Sequence, residues 1–285
     1  MPQSRIRRRR YRRRVFRRRP IRSRRRPRIR RTRQSRRRLL NIVSTKKKDT
    51  MLPYYAFSGA FTKGPIVFDG SSNTTKLVLW NASARPLKVA IGTEATTYRG
   101  ATEVFQRGLK EKIFIETNSA NPWIWRRIVF TNSTIRIASD SNDYFDPVGV
   151  SGMSRALRVV ATPTRNILNF ELFKGTQTVD WEDHINAQVN TEKCRIFYDR
   201  TMSITSGNTA GRILNINRWH GFNKTMIYDD KEIGDVKNIN YWAASSVHNT
   251  LDDVYVLDMF RPASYSTVAN TLVFNPQATI YWHER

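Results

Sequence analysis

The densest chemistry in this sequence is guanidinium. Arginines run in blocks: Arg7-Arg8-Arg9-Arg10, Arg12-Arg13-Arg14, Arg17-Arg18-Arg19, Arg24-Arg25-Arg26 and Arg36-Arg37-Arg38, with Lys46-Lys47-Lys48 as the last basic cluster. Guanidinium forks bind phosphate oxygens bidentately and shed water easily, so such blocks suit tight contact with a polyanion. Tyr11 and Phe16 interrupt the blocks and are placed to stack on unpaired bases. A nuclear-import signal needs only a short basic cluster, and this run is several times longer. All of these arginines and the three lysines are therefore candidate nucleic-acid contacts.

The charge is sharply partitioned. Residues 1–48 hold 22 Arg, 3 Lys and no acid, whereas residues 49–285 hold 25 basic and 23 acidic residues, a net of +2. A cationic segment of this density has almost nothing apolar to bury, and its like charges repel; it reads as a disordered arm with a reach of about 160 Å. The two parts are thus an arm at 1–48 and a folded body at 49–285. A lone cysteine, Cys194, leaves no intrachain disulfide framework and no multi-cysteine zinc site. No apolar run reaches the roughly 18–20 residues that span a bilayer, and no apolar face accompanies the charge, so a soluble chain without a membrane partner is expected.

Catalytic constellations are sparse. There is no phosphate-binding Gly-x-x-x-x-Gly-Lys loop and no Gly-x-Gly-x-x-Gly, so no cofactor is expected. His184, His220, His248 and His283 are dispersed, with no partner at metal-ligand spacing, and read as structural or surface residues. Asp180-Trp181-Glu182-Asp183 has the oxygen ligands a hard cation wants, but a loop cap or subunit contact is the favoured reading. Asp229-Asp230-Lys231-Glu232 resembles a metal-nuclease set only in composition, and reads as a polar turn. The sequence carries no enzyme signature.

Those residues need a scaffold, and the body offers strands. Candidates are Tyr54–Ala60, Lys76–Trp80, Leu87–Ile91, Lys112–Thr117, Trp123–Thr131, Ile167–Phe173, Cys194–Ile204, Arg212–Trp219, Thr225–Tyr228, Val254–Phe260, Asn270–Phe274 and Ala278–Trp282. In Cys194–Ile204, even-numbered apolar residues alternate with Arg195, Asp199, Thr201 and Ser203. Lys76–Trp80 is continuously apolar, as in a strand covered on both faces. No window offers a convincing long amphipathic helix. The spacing favours an antiparallel sandwich or barrel, with long surface connections near 132–156, 174–192 and 229–251. In Trp123–Phe130, Arg126 and Arg127 point to opposite faces, so burying either face draws an arginine among apolar residues. A structural ion pair or a contact with nucleic acid would satisfy it, and both arginines join the candidates.

The words Pro122-Trp123-Ile124-Trp125-Arg126-Arg127-Ile128, Asp180-Trp181-Glu182-Asp183, Arg218-Trp219-His220, Asn223-Lys224 and Tyr228-Asp229-Asp230-Lys231-Glu232 stand in order, before the ending Ala278-Thr279-Ile280-Tyr281-Trp282-His283-Glu284-Arg285. Together with the arm they resemble the capsid proteins of genomoviruses, the gemycircularvirus group, which are related to geminivirus coat proteins. The resemblance spans most of 112–285. It implies an eight-stranded antiparallel jelly-roll sandwich and self-assembly of sixty copies into a T=1 icosahedral virion shell. It also implies packaging of circular single-stranded DNA and entry into the host nucleus through import receptors. Unlike some geminivirus coats, this chain has no Cys/His cluster. The competing reading from composition is a nonviral architectural nucleic-acid-binding protein with a basic tail, which would need a basic patch on the body.

Overall fold

A computed structural model describes residues 42–56, 61–87, 98–138, 144, 147–148, 152–230, 232–233, 236–237, 242–245 and 250–284. Every arginine from Arg7 to Arg38 lies outside the described residues. Two sheets carry the body. Their strands are β1 (Thr45–Met51), β2 (Ile66–Asp69), β3 (Lys76–Asn81), β4 (Glu103–Thr117), β5 (Trp123–Thr131), β6 (Arg195–Ile204), β7 (Arg212–Ile227), β8 (Val254–Pro262) and β9 (Thr271–Glu284). Among the described residues, helices α1 (Ile135–Ala138) and α2 (Thr162–Leu172) interrupt the long connections.

One sheet has the order β1-β9-β4-β7 and the other β6-β5-β8-β3, every neighbouring pair antiparallel. β2 pairs with β9 at Thr271–Phe274, while β1 pairs with it at Ala278–Glu284, so the two are parts of one edge. Counted that way there are eight strands, ordered 1-8-3-6 in one sheet and 5-4-7-2 in the other. That interleaving is a jelly roll. The protein is an all-β sandwich, with a small third sheet of Arg155–Arg158, Pro53–Ala56 and Thr62–Lys63.

The sheets are covered differently. Along β9, Leu272, Phe274, Pro276, Ala278, Ile280 and Trp282 are buried, and the residues that alternate with them are partly or fully exposed. β4 alternates likewise, burying Leu109, Glu111, Ile113 and Ile115 and exposing Lys110, Lys112 and Glu116. β3, β5 and β8 instead bury both faces, as the unbroken apolar run at Lys76–Trp80 required. Leu168 and Leu172 of α2 and the adjacent Phe173 share a core cluster with Ile128 and Phe130, closing that sheet's second face.

Several expectations are corrected. Ile167–Phe173, read as a strand, is mostly α2: Thr164, Leu168, Glu171 and Leu172 are buried at helical spacing, and Pro163 sits in the first turn, where its missing N–H costs nothing. Arg212–Trp219 and Thr225–Tyr228 merge into β7, interrupted by a register shift between Gly221 and Lys224. Asn270–Phe274 and Ala278–Trp282 merge into β9. Pro276 falls in the gap between β2 and β1, where β9 has a strand partner on one side only. Of Tyr54–Ala60, Pro53–Ala56 is a strand and 57–60 lies outside the described residues. Leu87 makes an isolated bridge to Arg99, and 88–91 lies outside them as well. The composition boundary after Lys48 is not the structural one: β1 starts at Thr45, and the compact unit begins at Ile42. Exposed lysines on a sheet edge are compatible with strand structure, so charge alone misplaced it.

Tight geometry marks the entry to β7. Gly211 has φ +85°, and a Cβ there would stand 1.9 Å from the Thr117 carbonyl oxygen. Gly211→Ala is expected to lower the urea midpoint by an amount worth about 1–3 kcal/mol, from left-handed strain plus backbone displacement. An unchanged midpoint would refute the stated turn geometry.

Candidate nucleic-acid interface and the buried charge cluster

Both arginines of β5 are buried, against the expectation that only one would be. Arg127 faces the space between the sheets. Its Nε and NH2 donate to Asp258 Oδ1 and Oδ2 at 2.7 and 2.8 Å, a bidentate fork to its cross-strand neighbour on β8. NH1 donates to Glu111 Oε2 of the opposite sheet at 2.7 Å. Arg126 faces the other way. Its Nε and NH2 grip Asp199 of β6 at 2.9 and 2.7 Å, and NH1 donates to the carbonyls of His184 and Ala187 at 2.7 and 2.8 Å. These commitments correct the assignment of Arg126 and Arg127 as nucleic-acid contacts. The structural ion pair is what the geometry supports, because their donors already point at protein oxygens.

Arg155, from the small third sheet, completes the inner cluster. It donates to Asp258 Oδ2 at 2.8 Å and approaches Glu111 Oε1 at 3.4 Å, with its guanidinium 4.3 Å from the Trp80 ring centroid. Trp125 Nε1 donates to Asp258 Oδ1 at 2.9 Å. Two arginines and two carboxylates, all fully buried, thus cancel to zero net charge. Burial on its own would raise Asp258, yet Arg127 and Arg155 hold it below the ordinary carboxylate value. Burial likewise pulls at Arg127, but Asp258 and Glu111 outweigh it and raise its pKa. Arg155 is lowered by burial, with Arg127 adding repulsion. His220 Nε2 stands 4.0 Å from Glu111, and burial pushes its pKa down to about 4. Sequence reading found Arg127 but none of its partners, because a residue's partner across two sheets leaves no local pattern.

The acidic words are structural. Asp183 accepts from Thr75 Oγ1 and the Ile185 N–H at 2.8 and 2.9 Å and pairs with Arg261; Asp180 accepts from the Thr176 N–H at 2.7 Å. That is the loop-cap reading. Asp230 holds Arg99 at 2.7 Å and Thr102 at 3.0 Å. Lys231 lies outside the described residues, as does His248. Among the described residues no three His, Cys, Asp or Glu side chains gather as a metal site. His184 is buried beside Phe173 and Trp181 and depressed to about 4 by burial, while burial raises Cys194 to about 11. No helix of the described residues is long and apolar enough to cross a membrane.

Of the candidate contacts within the described residues, the lysines of β1 divide. Lys47 pairs with Glu284 at 2.8 Å. Lys46 and Lys48 are exposed, opposite His283 and Tyr281 on β9.

No family model matches this chain, and no curated protein matches it. Among solved structures, the human polyomavirus 6 VP1 pentamer is similar over 84% of this chain and 92% of its own, at 9% identity and a TM-score of 0.23. A mutant of the unassembled Washington University polyomavirus VP1 pentamer is similar over 85% and 95%, at 8% identity and a TM-score of 0.16. Likenesses so remote carry no argument; the jelly roll rests on the strand order itself.

Removing one member of the inner cluster strands a buried charge. Asp258→Asn is expected to cost about 3–5 kcal/mol in urea unfolding, far more than Glu116→Gln on the exposed face of β4. Equal costs would show the cluster is not energetically coupled. His220 adds a pH dependence. Between its folded value near 4 and its ordinary 6.5, the unfolded chain takes up a proton that the folded chain refuses. Stability from this group is full above pH 6.5 and falls as pH drops toward 4. The loss should be smaller in His220→Gln, measured by urea midpoints at pH 7 and pH 5.

Proposed function

We propose that this chain is the subunit of a small icosahedral viral shell, packaging single-stranded DNA through its arginine-rich arm. The observation that carries the reading is the pairing of a complete jelly roll with extreme charge segregation. Residues 1–48 carry 25 of the 50 basic residues and no acid, while the body's core arginines are spent on buried carboxylates. Jelly rolls are a common architecture of capsid subunits, though lectins and cupins share it, so the arm decides between them. The resemblance of the aromatic-rich words to genomovirus capsid proteins supports the same reading and supplies its finer parts: sixty copies, a circular genome and delivery to the host nucleus.

Mechanistically the arm acts by counterion release. Each guanidinium that neutralises a phosphate frees a condensed small cation, a gain independent of base sequence and eroded by salt. Sixty arms would bring about 1,500 positive charges, enough to neutralise on the order of 1,500 phosphates. The role is structural, with no catalytic step and no cofactor. Import receptors would read the same basic clusters.

The test is to express the full chain and examine it by negative-stain microscopy, then measure retained nucleic acid against salt. Shells of one size are expected, with DNA affinity falling steeply on a log–log plot and showing no base preference. Replacing Arg7–Arg10, Arg12–Arg14 and Arg17–Arg19 with glutamine should leave folding intact and empty the particles. A monomer at high concentration, or binding indifferent to salt, would overturn the proposal.

A further inference from the structure

The outward face of the β1-β9-β4-β7 sheet concentrates cations that no buried acid consumes. Lys46 and Lys48 project from β1, and Arg107, Lys110 and Lys112 from β4, all exposed. Among the described residues none of the five makes an ion pair; Arg107 donates only to the neutral Asn223 Oδ1, at 2.6 Å. The carboxylates of this face on β4, Glu103 and Glu116, stand at the strand's two ends. The positive potential is registered locally. His283, opposite Lys46, is lowered by burial and further by Arg107 and Lys46.

Aromatic and amide groups lie between those cations. Trp219 of β7, 54% exposed, meets Tyr281 of β9 edge-on at 5.6 Å between ring centroids. The two reach each other over Gly108, where a Cβ would stand 2.7 Å from the Trp219 ring, so the missing side chain makes room for the indole. Further along the same face a groove of about 510 Å³ is lined by Lys112, Phe114, Asn215, Asn217, Asn275 and Gln277 together with the apolar Leu52, Pro53, Ile113 and Ile216. The register explains it: Phe114 lies between Asn215 and Asn275, and Lys112 between Asn217 and Gln277. No hydrogen bond engages these four side-chain amides among the described residues, so their donors and acceptors remain available. Lysines two residues apart on a strand repeat at about 7 Å.

We propose that this sheet face is a second binding surface for single-stranded nucleic acid. Lys46, Lys48, Arg107, Lys110 and Lys112 meet phosphates, Phe114 and the Trp219–Tyr281 pair stack on bases, and the groove amides meet base edges. Stacking of this kind needs unpaired bases, and a cationic groove with aromatic platforms is how sequence-tolerant single-strand binding is built. A second copy of the chain fits less well, since interface cores are depleted in lysine and a like face would repel this one. The proposal deepens the packaging reading and rests on it for the identity of the strand.

The full chain should be photo-crosslinked to 5-iodouracil-bearing (dT)20 and, separately, (U)20, and the modified peptides mapped. Crosslinks at Phe114, Trp219 or Tyr281 are expected beside those in the arm, and the tighter oligonucleotide identifies the natural strand. Phe114→Ala should weaken the binding that survives high salt by about 5- to 100-fold. Lys110→Gln with Lys112→Gln should flatten the slope of log affinity against log salt by about 1.4. Circular dichroism and urea midpoints confirm folding, since these side chains are surface groups. Crosslinks confined to residues 1–48 with an unchanged slope would overturn the second surface and leave the arm's role standing. Absence of any nucleic-acid binding would overturn both.

Discussion

The body is organised around a problem of electrostatics: two arginines and two carboxylates sit between the sheets, out of reach of water. Bringing an ion into such surroundings costs several kcal/mol even after relaxation, so each member of the cluster depends on the others. Arg127 and Asp258 are cross-strand neighbours in one sheet, Glu111 comes from the other, and Arg155 arrives from the small third sheet. The sandwich can close on these groups only in one register, because a one-residue slip of β5 would exchange Arg127 for Arg126. Apolar packing supplies most of the driving force for association of the sheets. The cluster makes that association particular.

The same accounting explains the unequal outer faces. One sheet is sealed by α2 and the connection that Arg126 pins through the carbonyls of His184 and Ala187. The other is left to solvent, lined by lysines, amides and a tryptophan. Much of the body's acid is occupied by partners: Asp49 by Arg85, Asp230 by Arg99, Asp199 by Arg126, and Glu284 by Lys47. A net charge of +2 therefore conceals an exposed face whose unpaired charges are mainly positive. Summed charge measures composition; the field outside depends on which charges are spent inside.

How far the residues spoke for themselves depended on the range of the interaction involved. Lys76–Trp80 was legible because burial on both faces leaves a continuous apolar run, and Trp123–Thr131 because its apolar residues are interrupted only by Arg126 and Arg127 before Thr131. Ile167–Phe173 was misread, since a short apolar stretch is ambiguous between strand and helix until something packs against it. β1 and β2 were overlooked: Thr45–Met51 is mostly polar, and its strand structure comes from pairing with β9. The roles of Arg126 and Arg127 were open because a buried arginine announces a need for a partner without naming it.

From the order of residues alone came the division into a polycation and a near-neutral body, the dominance of strands and the lack of any catalytic signature. These follow from composition and from patterns spanning a few neighbours. Only the folded arrangement decided which strands adjoin, which arginines are consumed, and which face keeps its lysines exposed. Those outcomes hang on groups brought together from distant parts of the chain, such as Glu111, Arg155 and Asp258, and long-range contact leaves no trace in local spacing.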